Sequence, residues 1–353
     1  MSLESFQAAL TLGMTGSAFG SRNEDWGHAE SSAEKQRVVQ QLGGVGAITV
    51  GPPAWPVPEE SVFTVATVQS VATGKTGGDL IRDIAMRYAD SLATDMHNRP
   101  ISTYMLREVS RLQPADLEDG IFQDYNDHAT HSSAALRGLC AGLRYHKAKH
   151  VRELVAATVD IARILHHHPV AYMGAVTAAL FTSYAIQEKE MREWGAGLLT
   201  TLPMILEFVA SSGRDVIQNM STYQVFEQTW REYLHMRGIT DGERQPNFPR
   251  KYDIKKRDML YQSFALPNKE LGSTGLDATL IAYDALLSSG SSWEALCNNS
   301  MFHSGQGKVS GALAASWWGI QHGFSPVPLC NYNHVEFKDR LLECASKLYE
   351  LSW

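Results

Sequence analysis

The sequence is poor in cysteine and has no clustered positive charge. Its 353 residues include four cysteines, none in a CxxC pair, so neither a disulfide scaffold nor a zinc ribbon is predicted. The 38 acidic residues outnumber the 31 basic ones, and the net charge is −7. This balance argues against a nucleic-acid partner. We expect buried, reduced thiols in a cytoplasmic protein; the cysteines are Cys140, Cys297, Cys330 and Cys344.

Clear membrane segments are also lacking. The apolar stretch at residues 6–16 has Glu4 where a signal peptide would carry basic residues, and threonines interrupt it. The stretch Pro169–Ile186 approaches the length of a membrane span but contains several hydroxyl side chains, so we predict a helix buried in a helical core. The expectation is a soluble, cytoplasmic chain without a membrane partner.

Alternating strand patterns and internal repeats are absent as well, and helical periodicity runs through nearly the whole chain. Apolar residues make up 44% of the composition, enough for a large core. We predict one all-α domain over residues 1–353, with residues 238–275 as an irregular surface excursion that carries a short helix at Ile254–Phe264. Other predicted helices include Leu3–Met14, Glu59–Val71, Pro100–Leu112, Pro169–Gln187, Trp194–Ser211, Thr222–Arg237, Val309–His322 and Val335–Leu351.

Several motifs resemble known sites only superficially. Gly74-Lys75-Thr76 has Gln69 where a P-loop has its first glycine, and no strand precedes it, so a turn that ends a helix is predicted. The pair Gly44 and Gly46 lacks the third glycine of a dinucleotide fingerprint. Four aromatic residues at helical spacing are predicted to be core side chains rather than a base-stacking surface: Tyr223, Phe226, Trp230 and Tyr233.

Three consecutive histidines, His166, His167 and His168, join two apolar helices. Consecutive residues do not share a helix face, so chelation of one metal by all three is geometrically poor. We favour a helix junction at which one histidine points inward and is hydrogen-bonded in the core.

The stretch Phe302–Gly319 has the pattern of a site. A glycine-bounded turn at residues 304–307 precedes a helix rich in small residues, and such turns hold anions and metal-bound phosphates at helix N-termini. The positions expected to carry chemistry hold Gln306 and Lys308. Glu59 and Glu60, which follow a proline-rich loop, either complement a helix dipole or supply half of a metal site that residues 306–310 complete.

Seven stretches together form a specific pattern: GSAFG (16–20), WPVPEESVFTVAT (55–67), LRGLCAGLRY (136–145), HHHPVAYMGAVTAALFTSYA (166–185), LHMRGITDGE (234–243), GLDATLIAYDALL (275–287) and SWEALCNNSMFHSG (292–305). Through them the chain resembles the ADP-ribosyl-acceptor hydrolase, or ADP-ribosylglycohydrolase, family over nearly its whole length. It resembles in particular the vertebrate ADP-ribosylarginine hydrolases and their sibling regarded as catalytically inactive. The resemblance implies an all-α fold with a two-magnesium cleft that cleaves the bond between ADP-ribose and a protein side chain.

In this family an early Ser/Thr-Asp-Asp-Thr motif and a late Asp-x-Asp-Ser/Thr motif hold the metals. The resemblance places the first motif on residues 58–61 and the second on residues 306–309. The implied metal positions of this chain are Glu59, Glu60, Ser61, Gln306, Lys308 and Ser310.

The ligand cleft implied by the resemblance is also altered. Ser17 replaces an aspartate, and the family's glycine-rich loop for ribose and phosphates falls on residues 130–133, where no glycine remains. Side chains there would crowd a pyrophosphate. The implied vestigial cleft consists of Ser17, Thr130, His131, Ser132, Ser133, His166, His168, Asp277 and His303.

These substitutions change the charge at the implied metal positions. Four family aspartates would contribute −4, whereas Glu59, Glu60 and Lys308 together contribute −1 and Gln306 contributes nothing. Magnesium also requires near-ideal octahedral oxygen geometry, which the longer glutamates disturb. We therefore expect no bound cofactor and no catalytic residue. We predict that the Lys308 ammonium stands in for a metal ion and pairs with Glu59 or Glu60.

The function predicted from the sequence is that of a catalytically inactive, ADP-ribosylhydrolase-like scaffold or binding protein. Its partner would be an unidentified protein or an ADP-ribose-like ligand, and the chain is expected to be a monomer. The alternative is an active or weakened hydrolase that removes ADP-ribose from side chains such as arginine and uses two Mg²⁺ ions. A metal-free reader of ADP-ribose is a third possibility, disfavoured by the loss of the glycine loop.

Overall fold

The computed structural model describes residues 2–22, 26, 31–112 and 122–352. The other residues of the predicted 1–353 domain lie outside the described ones. The described chain is all-α, as predicted, and its only β pairing is an isolated bridge between His131 and Thr274. Short 3₁₀ turns occur at Val45–Ala47, Ala148–His150 and Met191–Glu193. The α-helices are α1 (Leu3–Ser21), α2 (Ser32–Gln41), α3 (Glu59–Val71), α4 (Gly77–Ala93), α5 (Thr103–Ser110), α6 (Ser133–Arg144), α7 (Val151–Arg163), α8 (Pro169–Ile186), α9 (Trp194–Ser211), α10 (Val216–Thr222), α11 (Gln224–Arg237), α12 (Ile254–Gln262), α13 (Gly275–Ser289), α14 (Trp293–Ser300), α15 (Gly307–His322), α16 (Leu329–Tyr332) and α17 (Lys338–Glu350).

The predicted bounds of α3 and α9 are confirmed, whereas several other bounds were wrong. Helix α15 begins at Gly307 rather than Val309, which places Lys308 inside its first turn. Helix α5 begins only at Thr103, because the Ser102 side chain accepts a hydrogen bond from the Met105 amide and caps the helix there. Helix α17 starts at Lys338, and the short helices α10 and α16 were not predicted.

Helix α1 continues to Ser21, well past the predicted end at Met14, because its glycines pack against α15. A Cβ atom on Gly16 would lie 2.3 Å from the carbonyl oxygen of Gly311, and one on Gly20 would lie 2.2 Å from that of Gly307. Real Cβ atoms do not approach so closely, so only glycine permits this contact. Tertiary packing here outweighs the intrinsic cost of glycine in a helix.

Helix α8 forms the centre of the core, and the prediction that it is a buried helix is confirmed. Two described segments are apolar and long enough to cross a membrane by length and composition alone. All of Pro169–Ile186 is buried inside the protein, and 44% of the apolar stretch in Met191–Ser211 is buried. Burial in the core accounts for the apolar character of α8 without a lipid environment.

Three further predictions about packing can be checked. Phe226, Trp230 and Tyr233 are buried core residues, as predicted, while Tyr223 is half-buried against the core. Residues 72–74 form a turn after α3, with Gly74 at a φ of +81°, which confirms the predicted helix-ending turn. The thiols are all unpaired, but Cys330 is not fully buried as expected, because it lies on the short exposed helix α16.

The predicted excursion at residues 238–275 carries a short helix, α12, which ends at Gln262 rather than Phe264. Its inner face is buried: Arg257 is 1% exposed and Tyr261 is fully enclosed. The chain then returns through residues 269–274 to the N-terminus of α13, beside the start of α15. The second half of the excursion therefore forms part of the wall of the site described next.

Candidate functional site

The N-termini of α3, α6 and α15 converge on one cleft with a volume of about 270 Å³. Both glutamates of α3 and Gln306, which precedes α15, reach this cleft, so the structure brings together the two candidate stretches of the sequence. The lining residues are Glu59, Glu60, Ser102, Tyr104, Met105, Thr130, His131, Ser132, Ser133, His166, Lys269, Glu270, Ser273 and Gln306.

Glu59 occupies the first turn of α3 at the edge of the cleft. Its carboxylate accepts a hydrogen bond of 2.7 Å from the backbone amide of Ser102. Burial, reinforced by the neighbouring charge of Glu60, raises the pKa of Glu59 to about 7. This carboxyl therefore titrates near neutral pH, which sequence reasoning did not anticipate.

Glu60 and Lys308 form the ion pair at the centre of the site. The Lys308 ammonium lies 2.8 Å from Glu60 Oε1, and the two side chains are 16% and 11% exposed. The predicted pairing is thus confirmed, with Glu60 as the partner. The other oxygen, Oε2, is buried and has no hydrogen-bond partner among the described residues. A lysine in the first turn of a helix opposes the helix dipole, so the glutamate charge offsets an otherwise unfavourable position.

Gln306 precedes α15 and points across the cleft to the end of the excursion. Its side-chain amide donates a hydrogen bond of 2.6 Å to Glu270, and its backbone amide donates one of 2.8 Å to the carbonyl of Leu271. Glu270 was missed by sequence reasoning, because it lies in an irregular segment without a recognisable motif. The two residues join α15 to the wall formed by residues 269–274.

Three serines implied as site residues lie beneath the cleft rather than on its surface. Ser61 donates a hydrogen bond of 2.7 Å to Ser17, and both are buried between α3 and α1. Ser310 donates one of 2.8 Å to the carbonyl of Ser300 and lies 3.0 Å from Nε2 of His303. These side chains connect the helices that support the site.

His303 is fully buried, and burial, with the nearby Lys35 charge, holds its pKa well below the usual range. Lys35 is a supporting residue that the sequence did not reveal. Its buried ammonium donates hydrogen bonds of 2.9 and 2.7 Å to the carbonyls of His303 and Gly305. A cation from α2 thereby fixes the turn that leads into α15.

Asp277 also lies outside the cleft, in the capping box of α13. Its carboxylate accepts hydrogen bonds from the amides of Gly272, Thr274 and Ala278 and from the Thr274 hydroxyl, at 2.7–2.9 Å. Burial nevertheless raises its pKa to about 6. The resemblance implied a ligand-binding residue, whereas the structure gives Asp277 a helix-capping role.

Residues 130–133 form the wall opposite α3. Backbone hydrogen bonds tie this loop to the start of α13, from Ser132 to the carbonyl of Ser273 at 2.8 Å and from Gly275 to that of Thr130 at 3.0 Å. His131 packs against Tyr104 with the rings tilted by 38° and their centroids 4.2 Å apart. Burial lowers the pKa of His131 to about 4, so its imidazole is neutral at physiological pH.

The prediction of one inward histidine at the junction of α7 and α8 was wrong, because all three rings are buried. His166 lies 3.3 Å from Ser133 Oγ at the cleft, whereas His167 Nδ1 lies 2.9 Å from the Gln123 carbonyl. His168 Nδ1 accepts a hydrogen bond from the Val170 amide and caps α8. The chain leaves helical geometry at 166–168, so consecutive rings can enter the interior in three directions.

A buried arginine, Arg137, lies behind the cleft wall and was also missed. Its guanidinium is 3.3 Å from His166 Nδ1 and donates a hydrogen bond of 2.9 Å to the Tyr88 hydroxyl. The side chain is 1% exposed. Its charge helps to hold the pKa of His166 well below the usual range, although burial is the larger cause.

Comparisons with known proteins agree on one family. A family model described as ADP-ribosylglycohydrolase matches residues 2–353. An ADP-ribosylhydrolase ARH1 of Dictyostelium discoideum is 28% identical over 95% of this chain and 91% of its own length. A putative ADP-ribosyl glycohydrolase of Acanthamoeba polyphaga mimivirus is 29% identical over a matched region that covers 56% of this chain and 39% of the viral protein. A solved structure titled "ADP-ribosylglycohydrolase-related protein complex" has a TM-score of 0.62, covers 99% of both chains and shares 13% identity, so it shows the fold alone.

Proposed function

This chain belongs to the ADP-ribosylglycohydrolase family, and we propose that it is a member without hydrolase activity that serves as a scaffold or binding protein. The observation that carries the proposal is the Lys308 ammonium, 2.8 Å from Glu60 where the family resemblance places a metal-binding aspartate. At this distance the ammonium is paired with a carboxylate oxygen that a metal ion would need as a ligand. A second cation beside it would be repelled.

The other donor groups support the same conclusion. Gln306 contributes an amide nitrogen, which donates to Glu270. Ser61 donates its proton to Ser17, and Ser310 donates to Ser300, both beneath the cleft. Mg²⁺ takes six oxygen ligands in near-octahedral geometry, and these residues do not fit such a centre.

No other arrangement in the described cleft replaces the missing metal chemistry. Two carboxylates can hydrolyse a glycosidic bond when they flank it, separated by ~5–10 Å. Glu59 and Glu60 are adjacent on the first turn of α3 and share one side of the cleft. The third carboxylate that lines the cleft, Glu270, accepts a hydrogen bond from the Gln306 amide. These features support a protein that keeps the fold and the cleft, and in which no described residue of the cleft is arranged to carry the family's chemistry.

Calorimetry and a turnover assay test the proposal directly. We expect no heat of binding when Mg²⁺ is titrated into the whole chain, and no release of ADP-ribose from an ADP-ribosylated arginine peptide. An active family member assayed in parallel shows that the substrate is competent. Release of ADP-ribose by the unmodified chain would overturn the proposal.

A restoration experiment tests whether the site is a changed metal centre. The variant Glu59→Asp, Glu60→Asp, Gln306→Asp, Lys308→Asp returns the family's four carboxylates. We expect it to gain Mg²⁺ binding, because the ammonium is removed and the charge of the four positions changes from −1 to −4. A matched variant that keeps Lys308 and changes the other three positions is expected to bind no Mg²⁺.

The alternative, an active or weakened hydrolase, has one observation in its favour. Glu59 has a pKa of about 7, so its carboxyl could donate a proton near neutral pH, as a general acid does. If the chain released ADP-ribose and Glu59→Gln abolished that release, Glu59 would be its proton donor. The name of the Dictyostelium relative is consistent with this alternative.

We propose the cellular location, the oligomeric state and the class of partner from the composition of the chain. Four free cysteines suit a reducing compartment such as the cytoplasm. The net charge of −7 disfavours nucleic acid as a partner, and we propose a monomer that binds a protein or an ADP-ribose-like ligand. Cell fractionation and light scattering measure these properties.

A further inference from the structure

Residues 244–256 form a cationic segment on an acidic protein. The segment contains five basic residues and one acidic residue, a net charge of +4, while the rest of the chain carries −11. All five basic side chains are exposed, and no ion pair engages them in the described part of the chain. We call them the cationic surface: Arg244, Arg250, Lys251, Lys255 and Lys256.

The first half of the segment is fixed from beneath by Arg237 of α11. The Asn247 amide donates a hydrogen bond of 2.7 Å to the Arg237 carbonyl, and the Arg237 guanidinium donates one of 3.1 Å to the Asn247 carbonyl. The guanidinium also lies 4.0 Å from the ring centre of Phe248. Tyr252 donates a hydrogen bond of 2.6 Å to the buried carboxylate of Asp284.

The second half is fixed by helix α12. Asp253 caps the helix by accepting a hydrogen bond of 3.0 Å from the Lys256 amide. Buried Arg257 donates one of 2.6 Å to the Asn298 carbonyl. The outer face of α12 exposes Lys255 and Lys256 together with Met259, which is 67% exposed. The cations thus project from an ordered backbone, so a partner need not order the main chain of the segment and only the side chains lose freedom on binding.

We propose that the cationic surface docks an acidic, Asp/Glu-rich segment of another protein. Opposite charge steers such a segment to the surface and sets its register. Met259, and Ile254 at 37% exposure, supply apolar contact between the charges. An acidic segment with interspersed apolar residues complements both features.

The charge of the remaining chain argues against a broader anionic partner. A membrane or a nucleic-acid duplex extends beyond the segment and would face the −11 of the remainder. Screening acts over ~8 Å at physiological ionic strength, so neighbouring surface charges would still be felt. A short peptide segment contacts the cationic surface alone.

This inference does not rest on the loss of hydrolase activity. None of the five cationic residues lines the cleft, so docking is measured without any reference to turnover.

Fluorescence anisotropy with the whole chain tests the proposal. The probe is a labelled peptide of alternating Glu and Leu, and the same peptide with Gln for Glu is the uncharged comparison. We expect binding of the acidic peptide only, and a loss of about tenfold in affinity for K251E/K255E/K256E, because reversed charges repel. The control K149E/K189E/K347E changes the same net charge at exposed lysines elsewhere and should stay within about twofold.

Four outcomes would overturn the proposal. These are absence of binding to the acidic peptide, equal binding of the uncharged peptide, equal loss in the control variant, and tighter binding to phosphatidylserine vesicles or duplex DNA. If the charge-reversed variant does not fold, the neutral variant K251Q/K255Q/K256Q replaces it. Circular dichroism establishes folding in each case.

Discussion

Arg237–Asp284 and Lys308–Glu60 are both ion pairs withdrawn from water, yet their surroundings differ. The first pair, at 2.6 Å, has side chains that are 3% and 0% exposed. Asp284 also accepts hydrogen bonds from Tyr233 and Tyr252, at 2.9 and 2.6 Å. The second pair is partly exposed, has Glu59 as a like-charged neighbour and leaves one Glu60 oxygen without a partner among the described residues.

The difference in hydrogen bonding distinguishes Arg237–Asp284, a pair that stabilises the fold, from Lys308–Glu60, a pair in the cleft that we propose to be an altered metal site. Buried charges that stabilise a fold are paired and hydrogen-bonded, since each unmet group is costly. At the cleft, two carboxylates share one ammonium, and burial holds the pKa of Glu59 at about 7. This imbalance is what we expect if, as proposed, the Lys308 ammonium stands in for a metal ion.

Removal of Arg237 should produce the largest effect. Arg237→Ala leaves the Asp284 carboxylate buried without its cation, and we expect a loss of about 3–5 kcal/mol in the free energy of unfolding. Urea denaturation measures it. A loss no larger than that caused by breaking an exposed ion pair, ~0.2–0.5 kcal/mol, would contradict a stabilising role for the buried pair.

Lys308→Met should have a smaller effect that depends on pH. It leaves Glu59 and Glu60 side by side without a cation, and we expect a loss of about 2–3 kcal/mol at alkaline pH, reduced because the pair is partly exposed. In acid the Glu59 carboxyl, whose pKa is about 7, is protonated and the repulsion beside the lost ammonium falls, so the loss should shrink. A loss that does not change between acid and alkaline buffers would show that the ammonium acts through packing rather than charge.

Glu59→Gln should stabilise the protein, by an amount that grows as pH rises from about 4.5 to about 7. The folded-state pKa of Glu59, about 7, exceeds its ordinary value of 4.5, so the folded state holds this proton more tightly than the unfolded state does. Stability therefore falls as pH rises from about 4.5 to 7, and the variant lacks this decline. The gain at alkaline pH should be about 2 kcal/mol after a discount for partial exposure, since one pKa unit corresponds to ~1.4 kcal/mol.

Parallel urea titrations of wild type and Glu59→Gln over this pH range supply the measurement. The lowered pKa values of His131 and His168, both about 4, act with the opposite sign, so the difference between the two proteins isolates Glu59. An identical pH profile for both would contradict the assignment.

Arg231→Ala sets the lower end of the comparison. Arg231 pairs with Glu227, one helical turn earlier, at 2.7 Å on the exposed face of α11. Such a pair contributes ~0.2–0.5 kcal/mol, and we expect that loss in the same urea assay. It is the control for Arg237→Ala, because both arginines lie on one helix, but the Arg231 pair is local and exposed whereas the Arg237 pair is buried and joins distant segments.

Sequence reasoning located most of the fold and part of the site. It gave α3 and α9 their correct bounds, because their apolar periodicity begins and ends abruptly. It placed the end of α1 too early, since the contacts of Gly16 and Gly20 with α15 join residues far apart in the chain. It paired Lys308 with a glutamate of α3 correctly, because opposite charges at aligned family positions have few other partners.

Other site residues could not be found in this way. Lys35 and Glu270 belong to no motif, and Arg137 lies in the family-like stretch 136–145 without a role that the pattern reveals. Each acquires its role from a contact with a distant segment. Asp277 was assigned to the cleft, although its four donors make it a helix cap. A one-dimensional pattern does not reveal whether a polar side chain points to a ligand or to its own backbone.

The sequence by itself determined the all-helical class, the family and the charge imbalance at the implied metal positions, since these depend on residue types and spacing. Tertiary structure alone decided that Glu60 rather than Glu59 takes the ammonium, and that Glu59 retains a pKa near neutrality. It also decided that the cations of residues 244–256 face solvent above an anchored backbone. The physical reason is that the pairing of charged side chains and their removal from water depend on which helix ends lie next to each other. Packing between segments far apart in the chain determines that arrangement.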